Sequence, residues 1–507
     1  MQSSQELHED SAKQEPEPNL DPEDWDTFRR DSHRALDDMI DHLAAIRRRK
    51  VWQPAPPEVR DYFRQRLPDQ PQSLATTLDD FDALIRPYAN GNDHPLFMGW
   101  VHGAGTPVGM IAEMLAAGLN ANCGGRNHIG LDVERQIASW AAQMFGFPSD
   151  ASGLFVTGTS LANLIALLVA RHAALGEEVR PGGLREANAQ LTVYASTEAH
   201  GCIITATEIA GIGSRYLRRI PVDRRGAMNP EALVAAIEAD RAAGLRPFMV
   251  VGTAGTVNTG SFDDLITLAD VCASRRTWFH VDGAFGALCA LAPQMRSLIA
   301  GIERADSIAF DFHKWTHVPY DAGFVLVRDA DLHRRTFVNP AAYLHRASTG
   351  LAAGEVWPCD LGPDLSRGFR ALKTWFTFRV FGAAHIGACI AHTCRLARYL
   401  EAQLSRSEIF ELRAPVVLNI VCFGLRMFDD DDLIKSIVCD LHERGAAAPS
   451  TTVIEGRTVI RAAIVNHRTT TADIDALIEA LATSAMRVMA SRSHKVGCVP
   501  AQLRNTG

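Results

Sequence analysis

"IAFDFHKWTHVPYDAG", residues 308–323, begins as an apolar run of β type and then sets Lys314 between His313 and Trp315. Such a run ends a buried strand. An ammonium group is costly to desolvate there, and an indole neighbour keeps the place partly dry. A lysine in this setting either has an ion-pair partner or is kept for its amine. The same residues close a longer pattern. Residues 106 to 330 alternate helical periodicity with the β-rich runs "GLFVTG" (153–158), "LTVYAS" (191–196), "PFMVVGTAG" (247–255), "TWFHVDGA" (277–284), "DSIAFDF" (306–312) and "GFVLVR" (323–328). This alternation predicts an α/β domain on a largely parallel sheet with helices on both faces. The short link between the last two runs leaves room for an antiparallel pair.

At 507 residues the chain is too long for one small core. The expected division is a disordered tail at 1–20, an N-terminal helical segment at 21–105, a large domain at 106–378, a smaller α+β domain at 379–490 and a tail at 491–507. In the N-terminal segment Trp25, Phe28, Leu36, Met39, Ile40, Leu43 and Ile46 make an apolar stripe at helical spacing that needs a partner surface. "RRRK" (47–50) reads as a solvated cluster at the negative end of that helix.

Composition is ordinary for a globular protein, with 47% hydrophobic and 22% charged residues. A net charge of −8 gives no electrostatic footprint for nucleic acid. The ten cysteines form no C-x-x-C pair and read as thiols in a reducing compartment. The N-terminus lacks the pattern of a signal peptide, and the most apolar run, "LANLIALLVA" (161–170), is interrupted by Asn163 and too short to span a bilayer. The expectation is a cytoplasmic protein with no membrane partner.

In open parallel sheets, ligands sit beyond the carboxyl ends of strands. Gly158-Thr159-Ser160 leaves one strand and enters a helix, where free N–H groups and two hydroxyls suit an anion; taken alone, it is an ordinary N-cap. Asp282 ends another strand, and His200 follows a third. Each is commonplace singly. With Lys314 they place a phosphate cradle, a carboxylate, an imidazole and an amine at one sheet edge. That set suits pyridoxal 5′-phosphate. The amine condenses with its aldehyde, the carboxylate keeps its ring nitrogen protonated, the imidazole stacks on the ring and the helix start holds the phosphate. His280, His313 and His317 fit no compact zinc motif.

"HVDGAFG" followed by "DFHKW" resembles the group II pyridoxal-phosphate-dependent amino-acid decarboxylases, the family of the aromatic-L-amino-acid, histidine and glutamate decarboxylases. The resemblance runs from about residue 25 to 485. It implies the fold-type I architecture of aspartate aminotransferase, with a large seven-stranded, mostly parallel sheet and a homodimer formed through the N-terminal helices. By the same resemblance Lys314 matches the cofactor-binding lysine, Asp282 the partner of the ring nitrogen, Ala284 a residue packed on the ring and His200 the stacked imidazole. Gly158, Thr159 and Ser160 match the phosphate turn, His313 a histidine near the phosphate and Thr253 a threonine near the ring. Arg461 matches a small-domain arginine that helps hold the site.

"NPAAYLHRASTGL" (339–351) resembles the family's mobile loop, with Tyr343 at the position of its proton-donating tyrosine. In this family phenylalanine at that position accompanies aldehyde formation, so Tyr343 points to simple decarboxylation of an L-amino acid. "HPLFMGWVHGAG" (94–105) matches the segment lining the substrate pocket and offers Phe97, Trp100 and His102. Aromatic-specific members place Tyr and Pro where Trp100 and His102 stand, and Asn-Pro where Asp311-Phe312 stand. The expectation is an aromatic substrate. A polar or acidic one, received by His102 and Arg126, is the alternative, and aldehyde synthase, aminotransferase and non-catalytic binding protein are further rivals.

Overall fold

The computed structural model describes residues 19–339, 345–354, 356–427 and 430–497. Among these residues twelve strands form two sheets. They are β1 (Phe97–Met98), β2 (Ser152–Val156), β3 (Leu191–Ser196), β4 (Leu217–Ile220), β5 (Arg246–Thr253), β6 (Trp278–Asp282), β7 (Ser307–Asp311), β8 (Gly323–Val327), β9 (Phe410–Leu412), β10 (Ile420–Leu425), β11 (Ala448–Ile454) and β12 (Arg457–Ala463).

The larger sheet runs β2-β8-β7-β6-β5-β3-β4. β7, β6, β5, β3 and β4 are mutually parallel, and β8 lies antiparallel between β2 and β7. β2 therefore points the same way as β7. The carboxyl ends of β2, β3, β5, β6 and β7 share one edge, and the loops carrying the predicted site residues leave from it. Every position of β3, β7 and β8 is buried, as expected of strands covered on both faces.

All six β-rich runs of the large domain are strands. β4 was not expected. Its sequence "LRRI" buries Leu217 and Ile220 at the sheet edge, while Arg218 pairs with Asp240 at 2.7 Å. Beside the turn that carries Lys314, Phe310 meets Phe312 edge to face at 4.9 Å, and Phe155 meets Phe324 at 5.0 Å. Such pairs add about 1 kcal/mol each beyond burial and stiffen this end of the sheet.

The smaller sheet runs β1-β11-β12-β10-β9 and is antiparallel except for the β1–β11 pair. Helices Asp431–Arg444 and Arg370–Ser405 pack on it, and Thr471–Gly497 packs against those two helices. The expected domain boundary at 378 falls inside the helix Arg370–Ser405, which breaks at Gly382, where φ is 73°. The expected tail from 491 is corrected too. Helical structure continues to Gly497, and residues 498–507, like 1–18, lie outside the described residues.

The chain divides into two compact units, one up to Ala45 with Pro56–Pro87, the other Ile46–Ala55 with Tyr88 onward. The expected boundary at 105 is thereby moved, since β1 belongs to the second unit. In the first unit, Asp24 caps the helix Trp25–Ala44 by accepting from Asp26 and Thr27 N–H. No residue of this helix is buried, and Trp25, Phe28 and Ile40 are exposed. The basic run after it is not simply solvated. Arg47 pairs with Asp473 at 2.6 Å and Arg49 with Asp93 at 2.8 Å. Nine cysteines among the described residues are free thiols. No single described helix is long and apolar enough to cross a membrane.

Candidate active site

The awkward lysine sits on a one-turn helix, Phe312–Trp315. Phe312, His313 and Trp315 are buried in that turn, and Trp315 Nε1–H donates to Thr393 Oγ1. Lys314 is turned into a cavity of about 390 Å³ at the carboxyl edge of the larger sheet. Its Nζ lies 2.8 Å from Asp311 Oδ2. The other oxygen of Asp311 accepts the Thr159 N–H at the start of helix Thr159–Leu175. Burial alone raises the Asp311 pKa, but Lys314 and His313 outweigh it and hold the carboxyl below its usual range.

Of the predicted residues, Trp100, His102, Gly158, Thr159, Ser160, His200, Thr253, Asp282, Ala284, His313 and Lys314 line this cavity. Asp282 ends β6 and is 4% exposed. It accepts from Asn163 Nδ2 at 3.1 Å and from Ala284 N–H at 3.2 Å. Burial raises its pKa, against the opposing pull of the Lys314 cation and these two donors. His313 accepts the Ala322 N–H at Nδ1, which leaves its proton on Nε2, facing Asp311. Burial pushes its pKa down to about 4, so the ring is neutral. His200 Nδ1 accepts the Cys202 N–H.

Phe97, Arg461 and Arg126 do not line the cavity. Phe97 is buried behind His102, stacked at 5.7 Å. Arg461 is buried on β12 and works at one remove, donating to the backbone carbonyls of Trp100, Val257 and Asn258. It thereby ties two cavity loops to the smaller sheet. Tyr343 lies outside the described residues. Arg126, the expected acceptor of an acidic side chain, instead stacks on Trp357 at 4.9 Å.

Sequence reasoning missed Asn163, Tyr320 and the role of Asp311. Tyr320 lies against His313 at 4.4 Å and meets His102 edge to face at 6.2 Å. His102 in turn stacks with Trp100 at 5.8 Å, which makes one wall of the cavity aromatic. The one available signal for Asn163 was a polar residue inside an otherwise apolar helix.

A buried acid with no ion-pair partner among the described residues, an amine at hand and a helix start above them define a site for an anionic, aldehyde-bearing cofactor. The chain belongs to the family described as the pyridoxal-dependent decarboxylase conserved domain, whose model matches residues 56–426. It is 33% identical over 456 residues to an aromatic-L-amino-acid decarboxylase of Bacillus atrophaeus, covering 87% of this chain and 92% of that one. It is 32% identical over 472 residues to a histidine decarboxylase of Drosophila melanogaster, covering 89% of this chain and 54% of that one. The crystal structure of Oryza sativa TDC with PLP and tryptamine superposes with a TM-score of 0.85 at 25% identity, covering 93% of this chain and 100% of that one.

The residues present fit pyridoxal 5′-phosphate. The buried hydroxyls Thr159 Oγ1 and Thr253 Oγ1 line the cavity and have no hydrogen-bond partner among the described residues. Buried polar groups are rarely left so. The protein is thus a pyridoxal-phosphate-dependent amino-acid decarboxylase of fold type I.

Proposed function

We propose that the amino acid decarboxylated by this enzyme carries an aromatic side chain. The observation that carries the proposal is the cavity wall of Trp100, His102 and Tyr320, together with the lack of any arginine among the described residues that line it. An acidic side chain would want a bidentate guanidinium. His102 is a poor substitute, because burial and then the Lys314 cation lower its pKa.

Bound pyridoxal 5′-phosphate supplies an electron-accepting ring when the carboxyl group leaves Cα. The protein's residues do the rest of the work. Lys314 would hold the cofactor through its amine, which faces the cavity. Asp282 would stabilise a protonated ring nitrogen, and a buried carboxylate with no ion-pair partner among the described residues is suited to that. Thr159, Ser160 and the N–H groups after Gly158 hold the phosphate, with His313 and Thr253 beside them. Ala284 and His200, which line the cavity, would pack against the cofactor ring. By the family resemblance Tyr343, which lies outside the described residues, would be the proton donor to Cα, favouring an amine product over an aldehyde.

The exposed Trp25, Phe28 and Ile40 support a homodimer formed through the N-terminal helices. The free thiols support a cytoplasmic location. Carbon dioxide release from each of the twenty amino acids tests the substrate assignment. Tryptophan, tyrosine or phenylalanine should head the series with an amine as product. Glutamate or aspartate at its head would overturn it.

A further inference from the structure

Behind Asp282 runs a chain of hydrogen bonds that the chemistry above does not use. Asn163 Nδ2 donates to Asp282 Oδ2 at 3.1 Å, and Asn163 Oδ1 lies 2.7 Å from His280 Nε2. His280 Nδ1 lies 2.8 Å from Ser307 Oγ, which accepts from Trp278 Nε1–H at 2.8 Å. Asn163, His280 and Ser307 are at most 1% exposed.

The polarity of this chain is fixed at both ends. An indole N–H can only donate, and a carboxylate can only accept. Asp282 takes the Asn163 NH2, so Asn163 Oδ1 can only accept from His280 Nε2–H, and the neutral ring then accepts the Ser307 hydroxyl proton at Nδ1 while the Ser307 oxygen takes the Trp278 N–H. The Asn163 amide is thereby locked with its NH2 toward Asp282. Burial holds His280 neutral, as this sense requires. Two polar side chains inside an otherwise apolar helix–sheet contact are costly to bury unless every partner is met, and here each is.

We propose that His280 and Asn163 are positioning residues that keep Asp282 oriented and ionised for a cationic ring nitrogen, with Ser307 and Trp278 completing the chain. The proposal rests on the assignment of Asp282 to that nitrogen. Asn163 and the Ala284 N–H each give one carboxylate oxygen a donor, which favours the charged form against burial.

The test compares two ligands on the full-length apoprotein by fluorescence titration: pyridoxal 5′-phosphate, and its 1-deaza analogue with a ring C–H in place of the nitrogen. His280→Phe should weaken binding of pyridoxal 5′-phosphate on the order of tenfold, as loss of an outer hydrogen-bond partner typically does. It should leave binding of the deaza analogue unchanged. His280→Gln, which can still donate to Asn163 and accept from Ser307, should restore most of the loss. If His280→Phe does not fold, Asn163→Leu should give the same contrast. Equal weakening of both ligands, or none, would overturn the proposal. Wild type that fails to bind pyridoxal 5′-phosphate would overturn the cofactor assignment, and this proposal with it.

Discussion

Glu134 and Asp282 are both buried carboxylates in the large domain, and they are satisfied in opposite ways. Glu134 is met by the Arg367 guanidinium through both oxygens, at 2.6 and 3.1 Å, and by the Phe155 N–H. Arg367 also donates to the carbonyls of Cys123 and Phe155. That charge is closed within the fold. Asp282 receives two neutral N–H donors and no ion-pair partner among the described residues. A buried charge compensated by the protein is structural, whereas one held ready by neutral donors is kept for a ligand.

The contrast can be broken at either end. Lys314→Ala should reduce carbon dioxide release to background, because no other amine among the described residues lines the cavity. Asp282→Asn should lower kcat/KM by roughly a thousandfold, the scale for removing charge stabilisation in a dry site. It should not lower the urea midpoint of the apoprotein, since an uncompensated charge is removed. Glu134→Gln should do the reverse. Breaking a buried pair from one side leaves Arg367 unpaired and costs about 3–5 kcal/mol, read as a lower midpoint. Its effect on the kcat of the remaining folded enzyme should be small.

A smaller effect is expected from acid. Burial pushes His280 down to about 3 and His333 to about 4, each from 6.5. Their folded pKa values are depressed, so the unfolded chain binds more protons once pH drops below 6.5. Stability is therefore complete above that value and is lost as pH falls toward the folded pKa values. At pH 5 each imidazole should cost roughly 2 kcal/mol, visible as a drop in the urea midpoint between pH 7 and pH 5. A flat profile across this range would contradict the neutral, buried state of these rings.

Much of this arrangement was legible in the sequence because it is local. Strand ends, a helix start and the order of Asp282 and Lys314 are patterns of neighbouring residues, and six β-rich runs became six strands. What escaped depends on tertiary contact. β4 hides its edge position behind Arg218 and Arg219, and β11 reads "APSTTVI", polar enough to pass for a loop until it pairs with β1 and β12. Asn163 looked like a flaw in an apolar helix, yet it touches Asp282 and His280, which lie far along the chain. Phe97 was assigned to the pocket from its segment alone; in the fold it is buried and stacks behind His102.

The central claim is that the Lys314 amine carries the cofactor at the shared edge of these strands. Borohydride reduction of the purified holoenzyme followed by peptide mapping tests it most directly. A single stable pyridoxyl adduct on the peptide containing Lys314 is the predicted result. An adduct on another lysine, or a colourless protein in which reduction fixes nothing, would contradict it.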